Sequence, residues 1–124
     1  MITAIANKGN NVVDSHDESL FTAISPRLVA IYGPLSGQTF YLDKPVVSIG
    51  RQLSNDIILN DLHVSREHCL IRSEGDEYVI EDLNSANGTY VNGEQVTVSP
   101  LKEGSLIDVD NSLFRFLVQN LMSR

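Results

Sequence analysis

Thr89-Tyr90-Val91-Asn92-Gly93-Glu94-Gln95-Val96-Thr97-Val98 decides the fold class. Two runs rich in β-branched residues flank an Asn-Gly pair, which tolerates the positive φ that both central positions of a type I′ turn demand. The stretch therefore predicts a hairpin with Asn92 and Gly93 at its tip. Outward from it the pattern repeats. Short apolar runs occur at Leu28–Tyr32, Thr39–Leu42, Val46–Ile49, Ile57–Leu59, Cys69–Ile71, Tyr78–Ile80, Leu106–Val109 and Leu113–Val118. Turn signals such as Gly33-Pro34, Glu74-Gly75-Asp76, Glu103-Gly104 and Asp110-Asn111 separate them. No segment shows the i, i+3, i+4 recurrence of an amphipathic helix. About ten short strands at this spacing predict an all-β sandwich or barrel.

The chain has 124 residues, 42% of them hydrophobic, which allows one hydrophobic core but not two. Residues 1–26 differ from the rest: Asn, Ser, Asp and Thr dominate without a sustained period, predicting a flexible N-terminal arm. Residues 27–118 form the expected domain, and residues 119–124 a tail or the start of a linker. No apolar run is long enough to cross a membrane as a helix, and nothing near the N-terminus resembles an export signal. A cytoplasmic monomer is expected. Cys69 is the single cysteine, so no internal disulfide forms; its apolar setting marks it as a small core residue. The formal net charge is −7, with the basic residues scattered among more numerous acidic ones. That balance argues against direct nucleic-acid or anionic-membrane partners, which need clustered Lys and Arg.

Three motifs fall between the strands: Ser48-Ile49-Gly50-Arg51, Val64-Ser65-Arg66-Glu67-His68, and Asp82-Leu83-Asn84-Ser85-Ala86-Asn87-Gly88-Thr89. Together they offer two guanidinium groups, hydroxyls, a carboxamide and glycines that allow close backbone approach. This is the chemistry of an oxyanion receptor. A phosphate monoester carries about −1.5 to −2 charge and three acceptor oxygens, and arginine's planar fork fits it.

In order along the chain, Gly50-Arg51, Ser54-Asn55-Asp56-Ile57, Ser65-Arg66-Glu67-His68 and Asn87-Gly88-Thr89 through Asn92-Gly93 resemble the forkhead-associated (FHA) domain family. The resemblance covers about Leu28 to Val118. It implies a twisted two-sheet β-sandwich of about eleven strands with binding loops at one end. It also implies a non-catalytic module that binds phosphothreonine-containing proteins in signalling and needs no cofactor. Carried over, Arg51 pairs with the phosphate, Ser65 hydrogen-bonds a phosphate oxygen, and Arg66 adds charge at its edge. Asn87 bonds the bound peptide's main chain. Gly50, His68, Gly88, Thr89 and Asn92 support the loops. A preference for phosphothreonine over phosphoserine comes from an apolar notch for the γ-methyl, a contact worth about 1–3 kcal/mol. Selectivity further along the peptide comes from the loop holding Leu62, His63 and Val64, where a protonated His63 favours an acidic residue. The opening from Pro26 to Phe40 is similar to the N-terminal FHA domain of bacterial transcriptional regulators, which implies further domains in a longer protein.

Other readings compete. Arg51 can be a surface charge paired with Asp56 or Glu67. A sandwich of this family can assemble with itself or a neighbour without reading phosphate. An arm phosphorylated at Thr3 or Thr22 can fold back into the pocket as an autoinhibitor. Catalysis is disfavoured. No nucleophile elbow is present, and Ser65 and His68 would face opposite sides if both lay in one strand. His63, His68 and Cys69 lack the paired spacing of a zinc site.

Overall fold

In the computed structural model, which describes residues 24–119, every regular element is a strand. In chain order these are β1 (Ile24–Tyr32), β2 (Thr39–Tyr41), β3 (Val46–Gly50), β4 (Ile57–Ile58), β5 (Cys69–Glu74) and β6 (Glu77–Asp82). They are followed by β7 (Thr89–Val91), β8 (Glu94–Val96), β9 (Val98–Leu101), β10 (Leu106–Val109) and β11 (Ser112–Gln119). Most of the expected arm, with Thr3 and Thr22, and most of the expected tail lie outside the described residues. Strand β1 starts at Ile24, ahead of the boundary read from the sequence.

Pro26–Leu117 cluster as one unit built from two sheets. One has six strands in the order β2-β1-β11-β10-β7-β8, and the other five in the order β4-β3-β5-β6-β9. The fold class expected from the resemblance, a two-sheet all-β sandwich, is the one observed.

Alternation decides which side of each strand is buried. Along β10, Ile107 and Val109 are fully buried while Leu106 and Asp108 are half-buried. Along β11, Phe114 and Phe116 point inward. From the other sheet, Ile49, Ile71 and Ile80 complete the core, each at most 1% exposed. Removing such a side chain from water stabilises the fold by about 1.5–3 kcal/mol. The layers meet where the Tyr78 ring of β6 packs on Phe116 of β11, centroids 5.7 Å apart.

The hairpin that decided the fold class forms as expected. Val91 pairs with Glu94 across a two-residue loop in which Asn92 and Gly93 have φ of 52° and 86°. The run after it differs from its sequence pattern. Gln95–Val98 reads as one strand, but it is split at Thr97, because β8 closes the edge of one sheet and β9 opens the edge of the other. The Thr97 carbonyl accepts the Asp82 backbone N–H (2.8 Å) at the crossing, so the break leaves no orphaned donor on β6.

Candidate functional site

The segments 51–56, 60–68 and 83–88 are cross-braced by hydrogen bonds. The braces begin at Gly50. A Cβ there would lie 2.3 Å from the Arg66 carbonyl oxygen and 2.7 Å from Asn55 Nδ2, so only glycine allows the two loops to approach so closely. Two backbone bonds then zip them together: the Arg51 N–H donates to the Ser65 carbonyl (3.0 Å) and the Gln52 N–H to the Arg66 carbonyl (3.2 Å). Asn55, almost fully buried, donates from Nδ2 to both the Gln52 and Arg66 carbonyls (2.8 Å each). It belongs to the Ser54-Asn55-Asp56-Ile57 motif, although it was not among the expected site residues.

Arg51 is oriented by its own side chain. Nε donates to the Val64 carbonyl at 3.0 Å, which leaves both terminal amino groups of the guanidinium for an anion. One of the two competing partners, Asp56, is occupied elsewhere: it pairs with Lys44 and accepts the Ser48 backbone N–H at 2.9 Å. Those bonds, Lys44 first, hold its carboxyl below the usual range.

Ser65 Oγ accepts the Ala86 backbone N–H at 2.9 Å. An alcohol that accepts still has its own hydrogen to donate, and the bond ties the Ser65 loop to the Asn87 loop. Asn87 ties the same loops from the other side, donating from Nδ2 to the His63 carbonyl at 2.8 Å. Arg66 is exposed beside Ser65.

His68 is fully buried between these segments. Its Nδ1 accepts the Ser65 backbone N–H (3.2 Å), which leaves the proton on Nε2, and that atom donates to the Gly88 carbonyl (2.9 Å). Ser65 and His68 thus meet in a turn ahead of β5, not along a strand, and the imidazole faces a main-chain amide instead of the serine hydroxyl. Below it, Asp82 accepts from the Ser85 N–H, Ser85 Oγ and Thr89 Oγ1, shaping the turn that presents Asn87. Cys69 is fully buried nearby, and burial pushes its thiol up to about 12. Asn92 works at a distance: its Oδ1 accepts the Leu106 N–H at 2.9 Å, which fastens the hairpin to β10.

His63 contributes its carbonyl to the loop braces through Asn87. Its Nδ1 lies 3.3 Å from Asp61 Oδ1, and Asp110 joins them, all three ligand atoms within 4.8 Å of one another. Positive charge on this ring is therefore faced by two carboxylates. Exposed acidic groups of this kind are common without a bound ion. Asp61 and Asp110 were not recognisable as neighbours in the sequence, because Asp110 comes from the distant β10–β11 turn.

Among the described residues no helix is long and apolar enough to cross a membrane. The sequence profile of the FHA domain matches residues 47–110. The chain is 42% identical over 93 residues to the glycogen accumulation regulator GarA of Mycolicibacterium smegmatis, covering 75% of this chain and 59% of that protein. It therefore spans well under two thirds of that relative's length. Among solved structures, Mycobacterium tuberculosis EmbR in complex with a low-affinity phosphopeptide superimposes with a TM-score of 0.73 at 34% identity, covering 77% of this chain and 25% of that one. A structure described as a structural and functional analysis of phosphothreonine-dependent FHA domain interactions gives 0.71 at 35% identity, covering 78% and 99%. The braced loops that follow β3, β4 and β6 thus occur on a sandwich whose sequence and shape agree with one family, and the chain belongs to the FHA domain family.

Proposed function

We propose that this protein is a non-catalytic recognition module that binds phosphothreonine-containing segments of other proteins. The observation that carries this reading is the division of labour at Arg51. Its Nε is committed to the Val64 carbonyl, so the guanidinium is fixed in place while its terminal N–H groups remain for a phosphate. A guanidinium held this way forms two parallel charge-assisted bonds with little further loss of side-chain entropy. Ser65, whose hydroxyl hydrogen is not consumed by its bond to Ala86, donates to a second phosphate oxygen, and Arg66 adds charge at the rim. Asn87 keeps its carboxamide oxygen for a main-chain N–H of the ligand. The relatives named as bound to phosphopeptide or as phosphothreonine-dependent support the same ligand class.

The global charge of −7 works against any anion. Recognition then depends on these few fixed donors and not on long-range attraction.

The reading is tested by screening a degenerate phosphothreonine peptide library against the wild-type domain and Arg51→Ala. Enrichment on the wild type, lost for unphosphorylated peptides and for the variant, is the expected result. No enrichment on a folded wild-type domain overturns it and leaves phosphate-independent assembly as the role of the fold.

A further inference from the structure

Tyr90 of β7 and Asp108 of β10 are directly paired across the ladder. Their neighbours Val91, Ile107 and Val109 are buried in the core, so Tyr90 and Asp108 share the outer face of the six-stranded sheet. At the binding-loop end of that face the chain turns through Asp110, at φ 53°. A cleft of about 300 Å³ follows, walled by Asn87, Tyr90, Gly93, Asp108 and Asp110. Asn87 is therefore shared between this cleft and the loops that carry Arg51 and Ser65.

No Lys or Arg lines the cleft, although the His63 ring stands near Asp110. Among the described residues, no ion pair involves Asp108 or Asp110. Burial, and then the charge of Asp110, hold the Asp108 carboxyl above the usual range, so a positive group placed between the two would relieve both. The Tyr90 ring offers a face on which an ammonium or guanidinium can rest. A pair of surface acids is ordinarily just solvated. Continuity with the loops through Asn87 and the aromatic wall set this pair apart.

We infer that this cleft receives a basic side chain of the bound segment, making the ligand class a phosphothreonine segment with Lys or Arg a short way along the chain from the phosphate. The inference rests on the function proposed above. The binding end is then dipolar, with Arg51 and Arg66 toward the phosphate and Asp108 and Asp110 beyond Asn87. A ligand of matching charge order is favoured, and one with an acidic residue in the cleft is disfavoured.

A positional phosphothreonine library, with every flanking position varied in turn, reads this directly. Lys and Arg should be enriched at one position. A peptide with Lys there should bind about three- to fivefold more tightly than its Ala counterpart, the range of a solvent-accessible ion pair, with the advantage shrinking in high salt. In Asp108→Asn/Asp110→Asn the advantage should vanish while the Ala peptide keeps its affinity. Phosphothreonine binding with no basic preference, or a preference that survives the double substitution, overturns this inference alone. Absence of any phosphothreonine binding overturns the parent reading with it.

Discussion

The Nε2 of His68 donates to the carbonyl oxygen of Gly88 at 2.9 Å while its Nδ1 accepts the Ser65 N–H at 3.2 Å. One buried ring therefore sets the spacing between the loop that offers Ser65 and the loop that offers Asn87. His68→Ala leaves a main-chain donor and a main-chain acceptor unpaired in the interior and opens a cavity. It should lower unfolding free energy by about 2–4 kcal/mol, measured by urea denaturation. Phosphopeptide affinity should fall in the same variant although the imidazole never touches phosphate. A variant that keeps full stability contradicts the bridging role.

Arg51→Lys separates charge from geometry. Lysine keeps the positive charge but cannot bond the Val64 carbonyl through a secondary nitrogen and present a fork at the same time. Calorimetric titration with a phosphothreonine peptide should show at least tenfold weaker binding for Arg51→Lys, and a loss on the order of a hundredfold for Arg51→Ala. Thermal stability should change little in either. Equal affinity of the lysine variant and the wild type would falsify the bidentate arrangement.

Gly50→Ala tests the close approach of the first two loops. The new methyl would meet the Arg66 carbonyl oxygen at 2.3 Å and Asn55 Nδ2 at 2.7 Å, and a main-chain carbonyl cannot swing aside as a side chain can. Overpacking of this kind costs about 1–3 kcal/mol. Amide NMR shifts should move at Arg51, Gln52 and Arg66 together, since the backbone bonds that join the loops lengthen as one. A change confined to Gly50 itself would show that the loops accommodate the methyl without separating.

Much of this was legible in the sequence, for a physical reason. Asn92-Gly93 encodes a turn through local φ preferences, and Gly50-Arg51 with Ser65 and His68 encodes loop chemistry in a few contiguous residues. What was hidden depends on long-range pairing. Thr97 breaks an apparently continuous β run because two sheets compete for its two halves. Asp108 reads only as the polar half of an alternation until its register partner is seen to be Tyr90. The nearness of Asp110 to His63 is likewise hidden, because the two lie far apart along the chain. Asn55 lay within a recognised motif, but its double bond to the Gln52 and Arg66 carbonyls exists only once the loops meet.

Cys69 should be inert in the native protein. Burial raises its thiol to about 12, and the charge of Asp82 adds to that. At pH 8 the thiolate fraction is then on the order of one in ten thousand, and the sulfur is out of reach of solvent. A disulfide-exchange reagent should label the native protein only at the rate of global unfolding, and label the urea-denatured chain at once. Rapid labelling without denaturant would mean that β5 opens locally.

Asp82 makes the acid side of the stability profile testable. Burial, the largest single influence on its carboxyl, pushes upward. The bonds from Ser85 and Thr89 outweigh it and hold the group below its usual value. A carboxylate depressed in the folded state contributes stability that is fully present above its unfolded value of about 3.9 and is lost as pH falls through the lower folded value. Asp82→Asn should therefore be less stable than the wild type at pH 7, because the amide is a weaker acceptor for three donors. The difference should hold down to about pH 4 and close below it. Paired urea titrations at steps across this range measure the gap. Asp56 and Asp61 also titrate low, but they are common to both proteins and cancel in the difference. A gap that stays constant as the pH falls below 4 would show that the Ser85 and Thr89 bonds do not depend on the charge of Asp82.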